Sequence, residues 1–495
     1  MIRTGLQEPG SAGTYDPETS LAGFDFGPEV LPEFFVPDLS NWRRLLAMYH
    51  EWVHHYQYHA TSYGYLYRIV ANTQVLIANG ILRIVAEEGG SRPLRLPLAS
   101  RTEPIAASTG HPNDMNQRLV TLLQAQRDGI LGYGPHVDPA DFGEYRLACQ
   151  AFRENFGGPM TIVTEPTYMP APPRIRYPAT YLLETHAHVL STVWLMLAVD
   201  RNGGDRRIVE AALAQANDHL VGPYAAFSQF VPGLPGGADQ IKMFCALAEI
   251  ALNPLGVHRH RRLAPETMYN VLYTSWFPVV RMESLMSHAL EGRIAWPAAD
   301  RAETGRRLLD AVGDAFEQGG SLRGTFLAGA DGAVALPTLE AIVDRTMRYA
   351  AVEGDVPPPL LAFQIDGLAK LIVAEGMKER SPLLLSGFVI EELRDLVSQL
   401  GGPSAICRDG NQSYTLVGAC AGLLHLGLLS PETLRAGGDA IVHAGLPIAH
   451  ALQLLLVRTR AELEPRLDQP LFGPGGWTLR SVLAEHYALR LQDFE

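Results

Sequence analysis

The run His50-Glu51-Trp52-Val53-His54 sets two imidazoles four positions apart, with a carboxylate between them. On a helix, residues four apart stack on one face, so both rings can offer a nitrogen to a single divalent cation. Glu51 projects one position on, where it can reach a water on that cation without ligating it, as a general base must. Zinc suits such donors and lowers the pKa of its water to about 7. A carboxylate beside it can take that water's proton as the water attacks a carbonyl. The chemistry this spacing predicts is hydrolysis of a peptide or amide substrate, with one zinc per chain.

A catalytic zinc takes a third protein ligand. The segment Tyr181-Leu182-Leu183-Glu184-Thr185-His186-Ala187-His188 reads as part of a strongly apolar helix, which would bury Glu184. A buried carboxylate is costly unless it is paired or on a metal. Glu184 is therefore the expected third ligand, with His188 as the alternative; an ion pair between Glu184 and Arg174 or Arg176 is the reading without a metal. His186 lies on another face and reads as a packing or hydrogen-bonding histidine. His188 shares the Glu184 face at the fourth position, from which it can orient a ligand. His55 points roughly 100° away from His54 around the helix and is not counted as a ligand. The cluster His55, Tyr56, Gln57, Tyr58, His59, Tyr63, Tyr65 and Tyr67 reads first as packing between helices, and second as a cleft wall.

On these residues the chain resembles the gluzincin branch of the HExxH zinc metallopeptidases, in which a glutamate on a later helix completes the site. The resemblance implies His50, His54 and Glu184 as zinc ligands, Glu51 as the base, and a zincin-like fold around them. It covers the two motif helices, about 30 of the 495 residues. The chain departs from the group in the 130 residues separating His54 from Glu184, and in having His188 where an acidic residue is frequent. For the oxyanion-stabilising Tyr or His of the family, Tyr177, His111, His258 and Tyr269 are candidates. Two other functions compete. Glu51-Trp52-Val53-His54 also reads as ExxH, a component of di-iron carboxylate oxidases in helical bundles, and Asp439 with His443 could add a distant pair. A second ExxH is missing, however, and that reading gives His50 no role. The third possibility is a non-catalytic scaffold that keeps a zincin-like core.

The elements that must position these residues are mostly helical. Leu45, Leu46, Tyr49, Val53 and Tyr56 recur at helical spacing, with Asp38 or Ser40 as the N-cap. A second apolar segment, 65–79, follows. Ile81 to Val85 and Leu94 to Leu98 are expected to form a β-hairpin around Gly89-Gly90, and Met160 to Val163 a short strand. Helices are expected over 114–128 and 179–199. Residues 1–30, rich in Gly, Pro, Ser and Asp, read as a tail or surface wrap. Val231-Pro232-Gly233-Leu234-Pro235-Gly236-Gly237 is the boundary between a zincin-like metal-binding domain, 31–235, and a helical domain, 238–495. Beyond it helices are expected over 238–252, 265–290, 300–317, 336–351, 380–400, 431–443 and 446–464. The fold class is mainly α (α+β), with a small β element in the N-terminal half and an all-helical C-terminal half.

Composition narrows the setting. An apolar fraction of 47% with 19% charged residues fits a globular enzyme. A net charge of -13 argues against nucleic acid as a partner, and His258-Arg259-His260-Arg261-Arg262 reads as a solvated loop. Cys149, Cys245, Cys407 and Cys420 form no CxxC pair, as in a reducing compartment. No membrane association is expected: the start lacks an apolar signal region, and the longest apolar run, Tyr414 to Leu429, is interrupted by His425. The expected localisation is cytoplasmic.

Overall fold

The computed structural model describes residues 13–17, 21–89, 94–99, seven positions between 116 and 127, 179–219, 227, 231–234, 240–252, 278–294, 390–409, 412–416, 445–471 and 476–495. Helix predominates among them, as the mainly α reading requires. They fall into two compact units that interleave along the chain. The first comprises Met1–Tyr65, Ala171–Leu336 and Lys370–Ile441, and the second Leu66–Pro170, Pro337–Ala369 and Val442–Glu495. The Pro/Gly stretch near residue 231 forms a short 3-10 turn, Val231–Gly233, within the first unit.

In the first unit the chain enters helix α1, Trp42–Ala60, through a 3-10 turn at Leu39–Asn41. Asp38 caps that turn: its carboxylate accepts from Ser40 N at 2.9 Å and from Asn41 Nδ2 at 2.8 Å. Leu45, Met48, Tyr49, Trp52, Val53 and Tyr56 are buried at the expected spacing, and from Glu51 to Ala60 every side chain is buried, polar ones included. Helix α3, Ala179–Arg201, packs along α1. The joint between them is aromatic: Trp194 lies edge-on to Tyr49 and Trp52, each at 5.8 Å between ring centroids. Phe34 meets Tyr49 at 4.8 Å and accepts its hydroxyl hydrogen at the backbone carbonyl, 2.9 Å away. Such pairs add about 0.5–1.5 kcal/mol each beyond the area they bury, so α1 and α3 are held side by side at the level of the motif.

A single hydroxyl turns the corner after α1. Thr61 Oγ1 donates to Gln57 O at 2.6 Å and accepts from Gly64 N at 2.9 Å, ending α1 and starting helix α2, Ser62–Glu87. The corner is tight enough to require glycine, since a Cβ at Gly64 would collide with Gln57 O. Helices α4, Arg207–His219, α5, Gln240–Leu252, α6, Pro278–Leu290, and α7, Ile390–Leu400, complete the described helices of this unit. Arg281 on α6 is buried and donates to Ile250 O at 2.8 Å and Ala251 O at 3.0 Å, satisfying carbonyls at the end of α5. By length and composition α3 could cross a membrane, yet 72% of its apolar window is buried inside the protein, as in a core helix.

Two expectations change here. Residues 1–30 are not merely a tail: Gly13–Asp16 forms strand β1 and Leu21–Phe24 strand β2. Nor is the C-terminal half all helical, because Ser404–Asp409 and Gln412–Leu416 form β3 and β4. The four make one sheet in the order β1-β2-β3-β4, antiparallel except for the β2–β3 pair. Strands this short carry little periodicity of their own, and β2 finds its partner β3 nearly four hundred residues away. Edge strand β1 lies against α1.

In the second unit the expected hairpin is also corrected. Helix α2 continues through Glu87, and Ala78, Ile81, Leu82 and Val85 are buried at helical, not alternating, spacing. Leu94 and Leu96 hydrogen-bond instead with the C-terminus: Leu94 N to Asp493 O at 3.2 Å, Glu495 N to Leu94 O at 2.7 Å and Leu96 N to Glu495 O at 2.9 Å. The expected helix 446–464 breaks in two. Helix α8 is Leu446–Val457, and Thr459 then opens a new turn, Arg460–Leu463, with a reciprocal cap to Glu462. Helix α9, Leu479–Tyr487, ends by donating Tyr487 OH to the buried Asn79 at 2.8 Å. The described positions between 116 and 127 are helical. The strand expected at 160–163 and the helices at 300–317, 336–351 and 431–443 lie outside the described residues.

Candidate metal centre

His50 and His54 stand one turn apart on α1, and Glu184 stands near the start of α3. The packing of the two helices brings three donor atoms together. His50 Nε2 and His54 Nε2 are 3.0 Å apart, and Glu184 Oε2 lies 3.3 Å from the first and 3.4 Å from the second. Tetrahedral bonds of about 2.0–2.1 Å place two ligand atoms about 3.3–3.4 Å apart, so the triangle has the size of a tetrahedral face around one zinc ion. The residues present fit the metal. The side chains of His50 and His54 are 15% and 8% exposed and that of Glu184 35%, so the triangle is walled on the histidine side and open at the carboxylate. Glu184 is thus less buried than its apolar neighbours imply.

His188 follows one turn after Glu184, and its ring lies 4.3 Å from that of His50, centroid to centroid. His50, Glu184 and His188 form a group that could hold a metal ion, with one ligand atom from each, all within 4.8 Å of one another. Both groupings share His50 and Glu184. The edges of the triangle with His54 match the coordination distances, and His188 stands beside it.

The electrostatics follow from this crowding. Burial pushes the Glu184 carboxyl up, but the imidazoles of His54 and His50 outweigh it by charge and hydrogen bonding, and hold it well below the usual carboxylate range. Burial pushes His54 down, and the charge and hydrogen bond of Glu184, the charge of Glu51 and the contact with Gln57 together carry it up to about 9. The centre therefore favours positive charge.

Glu51 is 4% exposed and is absent from the donor triangle. Burial raises its carboxyl, the charges of His50 and His54 oppose that, and Glu184 adds to it; the net shift is upward. Strand β1 lies directly on this side chain: a Cβ at Gly13 would be 2.8 Å from Glu51 Oε1, so only glycine lets the backbone come so close. Two positions along β1, Tyr15 stacks on His54 with centroids 6.1 Å apart and planes 26° from parallel, and on Tyr58 at 6.0 Å.

Gln57, three residues after His54, ties the site to α3. Its Oε1 lies 2.9 Å from His54 Nδ1, and its Nε2 donates to Leu183 O at 2.9 Å and lies 3.1 Å from His186 Nδ1. His186 is buried, and burial, with the charge of His54, lowers it to about 3, so it stands as a neutral hydrogen-bonding ring. His55 is turned away, packed against His59 at 4.5 Å and Trp52 at 6.1 Å.

The structure thus brings His50, His54 and Glu184 together, with Glu51 adjacent to the two histidines in α1 and His188 beside them. Tyr177, His111, His258, Tyr269, Arg174, Arg176, Asp439 and His443 lie outside the described residues. Sequence reasoning missed three contributors. Gln57 had a signal, its place on the His54 face three positions on. Gly13 and Tyr15 had none, since strand pairing with β2 and packing on α1 bring them in. A scan of protein-family models, a search of curated proteins and a search of solved structures each found no match to this chain.

Proposed function

We propose that the chain is a zinc-dependent hydrolase of peptide or amide bonds, similar in its ligand order to the gluzincins. The observation that carries this reading is the triangle of His50 Nε2, His54 Nε2 and Glu184 Oε2, with edges of 3.0–3.4 Å. A zinc held there would supply Lewis acidity, polarising a carbonyl and acidifying water in its open position. Glu51, which belongs to the motif but not to the triangle, accepts the attacking water's proton at its carboxylate and can return it to the leaving amine. The contact of Gly13 with Glu51 and the stack of Tyr15 on His54 restrict where these two side chains can move.

A di-iron centre would need Glu51 among the donors and further carboxylates around them. Glu51 belongs neither to the His50–His54–Glu184 triangle nor to the His50–Glu184–His188 group, which favours a single metal. Elemental analysis of the purified protein tests the proposal: about one zinc per chain is expected, and Glu184→Gln should lose most of it. Two irons per chain, or full zinc retention in Glu184→Gln, would overturn it.

A further inference from the structure

The Gln57 amide has one end that only donates and one that only accepts, and its neighbours decide which way it faces. Leu183 O, 2.9 Å from one end, is a backbone carbonyl and can only accept, so the NH2 group must face it. The second hydrogen of that nitrogen points to His186 Nδ1, 3.1 Å away, which takes it on a lone pair. The carbonyl end then faces His54 Nδ1 at 2.9 Å. A carbonyl oxygen cannot donate, so the hydrogen between these two atoms belongs to His54 Nδ1.

We infer that Gln57 is a positioning residue that fixes His54 with its hydrogen on Nδ1, so that Nε2 is the nitrogen offered to the metal. The Leu183 carbonyl, through one amide, thereby decides which face of the His54 ring is a ligand. The same amide joins α1 to the residue preceding Glu184, so one side chain aligns ligands from both helices. The backbone of Gln57 is itself held, since its carbonyl accepts from Thr61 Oγ1 at 2.6 Å. The consequence for metal binding rests on the zinc reading; the assignment of the hydrogen does not.

Two variants separate tautomer control from simple bridging. Gln57→Glu and Gln57→Met both lose the donor to Leu183 O, but only the glutamate keeps an acceptor for His54 Nδ1. Imidazole nitrogen NMR on histidine-labelled, metal-free protein, recorded above pH 9 so that the His54 ring is neutral, should show a hydrogen-bonded His54 Nδ1–H in the wild type and in Gln57→Glu, and its loss in Gln57→Met. Chelator competition should find zinc bound about 10–100-fold more weakly by Gln57→Met and within about threefold of wild type by Gln57→Glu. An unprotonated His54 Nδ1 in the wild type, or equal weakening in both variants, would overturn the inference. Failure of the wild type to bind zinc would instead overturn the metal reading, and the NMR arm would still decide the role of Gln57.

Discussion

In the second unit, buried Arg127 donates from Nη1 to Gln74 Oε1 at 2.5 Å and from Nη2 to Tyr67 OH at 2.9 Å, and Gln74 donates in turn to Gln124 Oε1 and Val120 O, each at 3.1 Å. In the first unit, two imidazole nitrogens and a carboxylate oxygen crowd within 3.4 Å of one another. Both clusters sit in helical cores, and both contain side chains that are costly to bury. In the Arg127 cluster donors alternate with acceptors: two guanidinium nitrogens donate to Gln74 and Tyr67, and the Gln74 amide donates onward. The His50–His54–Glu184 cluster sets three lone-pair atoms facing a common point and closes only around positive charge. Buried polarity alone therefore does not mark a site; unmatched polarity of one sign does.

That contrast is open to breakage at its stronger end first. If the triangle exists to hold a cation, His50→Ala and His54→Ala should each abolish stoichiometric zinc, measured by elemental analysis on folded protein. Retention of a full equivalent in both variants would reduce the cluster to a structural network of the Arg127 kind.

Next comes Glu51, which shares the buried environment but not the triangle. Glu51→Gln keeps size and shape and removes the proton-accepting charge, so the variant should hold its zinc while hydrolysis of a peptide library falls by about 10²–10⁴-fold. Loss of metal along with activity would make Glu51 a ligand and favour the di-iron alternative.

The Arg127 cluster should behave oppositely. Arg127→Met removes the donor to Gln74 Oε1 and to Tyr67 OH, and a buried acceptor left unsatisfied costs about 1–3 kcal/mol. The urea midpoint of the second unit should fall accordingly, while zinc content per folded chain stays at one. Zinc loss at unchanged stability would mean that the two clusters are not the separate kinds of structure argued above.

How far the sequence discloses all this depends on the range of the interactions involved. His50, Glu51 and His54 are legible because helical spacing alone puts them together, and Glu184 because a carboxylate in an apolar helix calls for a partner. The helices α1, α3 and α5 are legible for the same local reason. Strands β1 to β4 are not: Leu21 pairs with Ser404, and no window of neighbouring residues contains both. The hairpin expected at 81–98 fails similarly, because Leu94 and Leu96 find their partners at Asp493 and Glu495. At Ile81 to Val85 two apolar pairs flank Arg83, a pattern that a continuing helix accommodates and strict alternation does not. Gln57 stayed hidden among aromatic neighbours, since its value depends on Leu183 O, which no side-chain pattern reveals.

The smallest expected effect belongs to His188, and it tests how the triangle is drawn. His188 and His54 compete for the same place beside His50 and Glu184: the first within a group spanning up to 4.8 Å, the second at 3.0 and 3.4 Å. A tetrahedral zinc tolerates ligand separations near 3.3 Å, so His54 can bind without rearrangement. His188 also stands one helical turn beyond Glu184, from where it can steady a ligand without being one. His188→Ala should therefore weaken zinc by only a few-fold, within the range of an orienting neighbour, and leave one equivalent bound at saturating metal. Cobalt substitution gives an independent reading, since the ligand-field spectrum of the cobalt-loaded variant should match that of the parent if no ligand has been removed. Complete metal loss in His188→Ala alongside retention in His54→Ala would move the centre to His50, Glu184 and His188. It would leave His54 as a hydrogen-bonded core histidine.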